Sequence, residues 1–116
     1  MSKNKEIRYS EVLRKFVHPM VLETDTLSMI EEKYAFGVHV WNSVNIKNKH
    51  PELFEEAKKE VIEKSDNKIE AEALFEELVN FKKKEFSDYQ RVFIDFEILE
   101  KIGGGYTVTA ASAELK

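Results

Sequence analysis

The sequence predicts an α+β domain, with four mainly antiparallel helices followed by a C-terminal β-hairpin packed on the helical body. Three observations predict it. Apolar residues recur with helical spacing in four segments between Ser10 and Phe86. From Val92 the period shifts to strict alternation. Gly103-Gly104-Gly105 then offers a turn between two alternating runs. Residues 1–116 read as a single domain, with 1–8 polar and frayed, 9–86 the helical body and 91–112 the hairpin.

The first helix carries Val12, Leu13, Phe16, Val17, Met20 and Val21 on one face. Pro19 lies inside this rhythm, lacking an N–H and disfavouring helix at His18. The helix therefore ends near His18 or kinks there, and the continuing period favours the kink. Asp25, Thr26 and Ser28 announce a second helix, with Glu31 in capping-box spacing from Ser28. It runs to about Ile46. Its middle, Tyr34 to Trp41, is apolar nearly all round, which marks a central helix. Gly37 weakens it by about 1 kcal/mol against Ala, a cost that close approach of a neighbouring element would explain.

Pro51 suits the first position of a third helix, with Leu53, Ala57 and Val61 on one face and Phe54 and Ile62 beside them. Ser65 and Asp66 mark a break, and Asp66 is the expected cap of a fourth helix running to about Phe86. Its stripe is Ala71, Leu74, Phe75, Leu78 and Phe81. Lys82-Lys83-Lys84 near its end complements the helix dipole. In the hairpin, Val92, Ile94, Phe96 and Ile98 alternate with Phe93, Asp95, Glu97 and Leu99, and Tyr106, Val108 and Ala110 alternate with Thr107 and Thr109.

Composition narrows the function classes. A chain of 116 residues buries roughly two-thirds of its extended surface on folding and needs no staple. With no cysteine, disulfide scaffolds, Cys-ligated zinc, iron–sulfur clusters and thiol nucleophiles are excluded. A net charge of −4 argues against a dedicated nucleic-acid binder, and the lysine run has no interleaved arginine to help it. The charged N-terminal stretch is not a secretory signal, and no apolar run is long enough for a membrane span. The C-terminal Ala-Glu-Leu-Lys is no lipidation signal. A cytoplasmic protein is the simplest expectation.

No chemistry assembles from the titratable residues. His18, His39 and His50 lack the i, i+3 or i, i+4 partners that a metal site on a helix needs, so no metal and no cofactor is expected. Glycines 103–105 are followed by strand rather than by a helix, which rejects a phosphate loop. The carboxylates are too scattered to name an acid/base pair, and no nucleophile elbow occurs. Tyr34, His39, Trp41 and Asn42, with Asn45, form the one polar–aromatic concentration in the apolar centre. A packed core is the simpler account, and a ligand pocket with His39 as general base is the alternative.

The hairpin points elsewhere. A lone two-stranded hairpin must lay its apolar face on the helices, and its edges carry unpaired backbone groups. Val92, Phe93 and Leu99 are hard to bury on one side, which makes them the expected contact residues. The expected partner is a second copy, joining two hairpins into one sheet, or another protein adding a strand. Protection of a monomer's edges by Asp95, Glu97 and the N-terminal segment is the plainer account.

Val40-Trp41-Asn42, Ile94-Asp95-Phe96-Glu97, the glycine turn and Tyr106 to Ser112 also bear comparison with known sequences. In these the chain resembles a loose group of small bacterial proteins of uncharacterised function, over about Ser10 to Ser112. The resemblance implies the hairpin and a bacterial cytosolic setting, and it carries over no catalytic residue. The leading functional expectation is a non-enzymatic protein-interaction or assembly module using the hairpin and adjoining helices. The alternative is a small-ligand binder or minor enzyme with a pocket near His39 and Asn42.

Overall fold

Pro19 decides how the first helix ends. The computed structural model describes residues 2–114, with side chains from residue 9 onward. Helix α1 (Ser2–Val17) stops two residues before the proline, and a 3-10 turn at His18–Met20 takes Pro19 at its start. Val21 is extended, its N–H on the carbonyl of His18 at 2.9 Å. The helix thus ends and does not kink. Met20 and Val21 keep the apolar rhythm because the turn lays both half-buried against the core. The helix begins at Ser2, ahead of the apolar rhythm that starts after Ser10, and so takes in residues 2–8, where fraying is expected; Met1 lies outside the described residues.

Helix α2 (Leu27–Lys49) is capped by Thr26, whose hydroxyl accepts from the N–H of Met29 at 3.2 Å. The cap lies two residues ahead of the Ser28–Glu31 spacing, and the helix runs three residues beyond Ile46. It is the central helix, burying Ile30, Tyr34, Gly37, Val40, Trp41 and Val44. Gly37 has the reason the sequence suggested, because a Cβ there would stand 2.5 Å from Cγ2 of Val17. Helix α3 (Pro51–Glu63) opens on its proline and buries Phe54, while Leu53 stays 43% exposed. The inward stripe is therefore Phe54, Ala57 and Val61 at i, i+3, i+7, one position round from the Leu53 stripe. The larger ring wins the inside place and meets Phe75 edge-on at 5.9 Å. Helix α4 (Lys68–Glu85) is capped by Asn67, whose side-chain oxygen accepts from the N–H of Glu70, so Asp66 is not the cap. It ends at Phe86 and buries Ala71, Phe75, Leu78, Val79 and Lys82.

Strands β1 (Val92–Glu100) and β2 (Tyr106–Ala113) form a two-stranded antiparallel sheet. The turn holds Gly103, Gly104 and Gly105 at φ of 91°, 108° and 82°, backbone that other residues adopt only with strain. Phe93 pairs with Ser112 but Asp95 pairs with Ala111, so Ile94 is an extra residue in a β-bulge. One inserted residue reverses the parity of the strand. Phe93 consequently shares the inward side with Phe96 and Ile98, although alternation places it opposite them. Ile94 turns outward, 66% exposed.

The core lies between α1, α2, α4 and the inner face of the hairpin. Phe16 stacks on Phe81 at 5.7 Å and meets Trp41 edge-on at 5.2 Å, and Phe86 and Phe93 close on the same indole. Each such ring, fully buried, contributes on the order of 1.5–3 kcal/mol. Among the described residues no helix is long and apolar enough to cross a membrane.

Candidate functional site

The four residues of the expected central pocket face four separate structural partners. The Trp41 indole N–H donates to the carbonyl of Arg91 at 2.8 Å. His39 Nε2 donates to the carbonyl of Ala57 at 2.8 Å, tying α2 to α3. Asn42 donates to the carbonyl of Phe93 and accepts from its N–H, both at 2.8 Å. Tyr34 is fully buried, its hydroxyl 2.8 Å from that of Tyr106. Burial, and then the Tyr106 hydrogen bond, push the Tyr34 hydroxyl well above the ordinary phenol range. These groups do not converge on a common space.

What they build is a seam that holds the sheet. Asn42 reproduces with one primary amide the pair of bonds a neighbouring strand would give Phe93. Asn45 adds donors to the carbonyls of Tyr89 and Arg91 at 3.3 and 2.8 Å. On the other edge, the N–H of Ala110 donates to Ser10 Oγ at 2.9 Å, and Arg14 donates to the carbonyl of Tyr106 at 3.3 Å. Helix α1 thus covers the edge of β2, and α2 covers the beginning of β1.

The rest of β1 is different. In an antiparallel pair, residues whose backbone faces away from the partner strand alternate with those bonded to it. Ala110 faces away, so Tyr106 and Val108 do too, and so do their partners Phe96, Ile98 and Glu100. Phe96 gives its N–H to its neighbour Asp95 Oδ1 at 2.9 Å. Among the described residues no side chain hydrogen-bonds the outward backbone groups of Ile98 and Glu100. Beside them Leu99 is 52% exposed, and Ile102 stands fully out in the turn.

The expected contact residues divide accordingly. Leu99 is on the outward face. Val92 is half-buried. Phe93 is 3% exposed, ringed by Tyr9 and Trp41, and its place on the outward face is corrected by the bulge. Sequence reasoning also missed the burial of Lys82, read as one of a run that complements the helix dipole. It is 1% exposed, lies 4.2 Å from the Trp41 ring, and donates to the carbonyls of Phe86 and Tyr89 at 3.3 and 3.0 Å. Its i+4 spacing from Leu78 is the signal that could have placed it inside. Among the described residues no carboxylate pairs with it, and burial lowers its ammonium to about 8.

Comparison of the chain with protein-family models, with curated proteins and with solved structures finds no match in any of the three.

Proposed function

We propose that this protein is a non-enzymatic assembly module that pairs with a second copy of itself through the Phe96–Glu100 edge of β1, making one four-stranded antiparallel sheet. The reading is carried by the outward backbone groups of Ile98 and Glu100, which no described side chain bonds, whereas Ser10 and Arg14 bond those of Ala110 and Tyr106, and Asn42 and Asn45 those of Phe93 and Arg91.

Charge complementarity favours a second copy as the partner. An antiparallel pairing about a two-fold axis at Ile98 sets Asp95 opposite Lys101 and Glu97 opposite Leu99. Carboxylate meets ammonium twice across the axis, and no carboxylate lies directly opposite another.

Sedimentation or light scattering over a concentration series tests it, with a rise toward twice 13.6 kDa expected. Leu99→Glu puts a carboxylate opposite Glu97 and weakens the dimer, whereas Leu99→Lys strengthens it. Two such pairs per dimer shift the dissociation constant by about 2- to 30-fold in each direction. A monomer at every concentration, or the same response to both substitutions, overturns the reading.

A further inference from the structure

The free edge of β1 is flanked at each end by an exposed isoleucine. Ile94 is 66% exposed because the bulge turns it outward. Ile102 stands fully out of the hairpin turn, between Lys101 and Gly103. That turn is closed by the N–H of Gly104 on the carbonyl of Lys101 at 3.2 Å and by the N–H of Lys101 on the carbonyl of Gly105 at 3.1 Å. With Gly103 at φ 91°, Ile102 takes the first of the two central positions. Turns favour Gly, Pro, Asn, Asp and Ser, so a branched apolar chain gains nothing from the turn itself. Neither isoleucine belongs to the hydrophobic core of its own copy.

The self-pairing proposed above, on which this inference rests, gives both a place. The two-fold axis at Ile98 that sets Asp95 opposite Lys101 sets Ile94, one step further, opposite Ile102 of the second copy. One step further again, Phe93 falls opposite Gly103. Phe93 is where α2 takes over the edge, with Asn42 bonding its N–H and its carbonyl. The second copy's strand therefore runs out into its own turn at the point where α2 closes the edge. The residue it brings there has no side chain to meet the helix. This match in length, together with the Asp95–Lys101 charges, favours a second copy over an unrelated strand.

We infer that Ile94 of each copy packs against Ile102 of the other, and that these two contacts fix the register of the self-paired sheet. A shift of two residues would keep the same faces paired but part the isoleucines.

Cross-linking tests this without background, because the chain has no cysteine and Ile94→Cys and Ile102→Cys each carry a single thiol. Both variants, and an equimolar mixture of them, are oxidised at a concentration where the wild-type chain sediments as a dimer, and the products are read by intact mass. Facing residues of antiparallel strands lie about 4.5–5.5 Å apart at Cα, within disulfide reach. Identical positions lie eight residues apart along the sheet, about 26 Å, and cannot bridge. The expected product is the mixed disulfide of Ile94→Cys with Ile102→Cys, with neither chain cross-linked to itself. Ile94→Ser and Ile102→Ser each weaken the dimer by about 2- to 30-fold, and the double variant weakens it by about as much as either alone, since all three lose the same contact. A dimer that forms without the mixed disulfide, that cross-links in all three combinations alike, or that is unmoved by both serine variants overturns this contact and leaves self-pairing standing. A wild-type chain that is monomeric at every concentration overturns self-pairing and the contact with it.

Discussion

The two ends of β1 are built on opposite terms. At Arg91 and Phe93, three side chains of α2 take up the backbone groups, and the Phe93 ring enters the aromatic core. At Ile98 and Glu100, a few residues further along, no side chain among the described residues bonds the outward backbone, and the flanking Leu99 faces out. An edge stitched to its own helices is closed to other strands, and an edge without such stitches is available to them. The bulge at Ile94 divides the two regimes.

Breaking the stitched end has the largest effect. Phe93→Ala removes a ring that touches Tyr9 and Trp41, and it costs about 3–5 kcal/mol. Leu99→Ala, at the open end, stays within about 0.5 kcal/mol. Urea denaturation of both variants measures the contrast directly. Next comes Asn42→Ala, which orphans the N–H and the carbonyl of Phe93 together and costs about 2–4 kcal/mol. Hydrogen exchange in Asn42→Ala accelerates first at residues 92–93, ahead of the helices.

The smallest effect sharpens the contrast through pH. Lys82 supports the loop carbonyls just ahead of β1. Its folded ammonium, at about 8, loses its proton before the unfolded chain does near 10.5. Between those values the unfolded state holds the extra proton, so stability rises with pH. The rise is no more than about 3 kcal/mol after allowing for partial solvent screening. Tyr34 acts with the opposite sign, because the unfolded phenol ionises near 10 while the folded one stays protonated, so stability falls above about pH 10. Unfolding free energies across this range therefore pass through a maximum. In Lys82→Met the rise is lost and the fall remains.

Much of this was legible in the residues. Four apolar periods, Pro51 at a helix start and a triple glycine between alternating runs mark every element in order, since each signal is local. Failures came where a tertiary choice overrode a local one. Thr26 and Asn67 won the caps over Ser28 and Asp66, all four being residue types that suit the position. Phe54 displaced Leu53 because the facing helix offered Phe75. Ile94 reads as an inward strand residue, and nothing in Val92-Phe93-Ile94 announces a bulge.

The bulge also means that β1 carries two phases rather than one. Residues before it and after it agree on which side is inside only because Ile94 stands between them. Deleting that single residue leaves a smoother strand and a frustrated core, in which Phe93 and the Phe96–Ile98 pair compete for the same side. The loss would be one of uniqueness: two rival sheets, each burying what the other exposes.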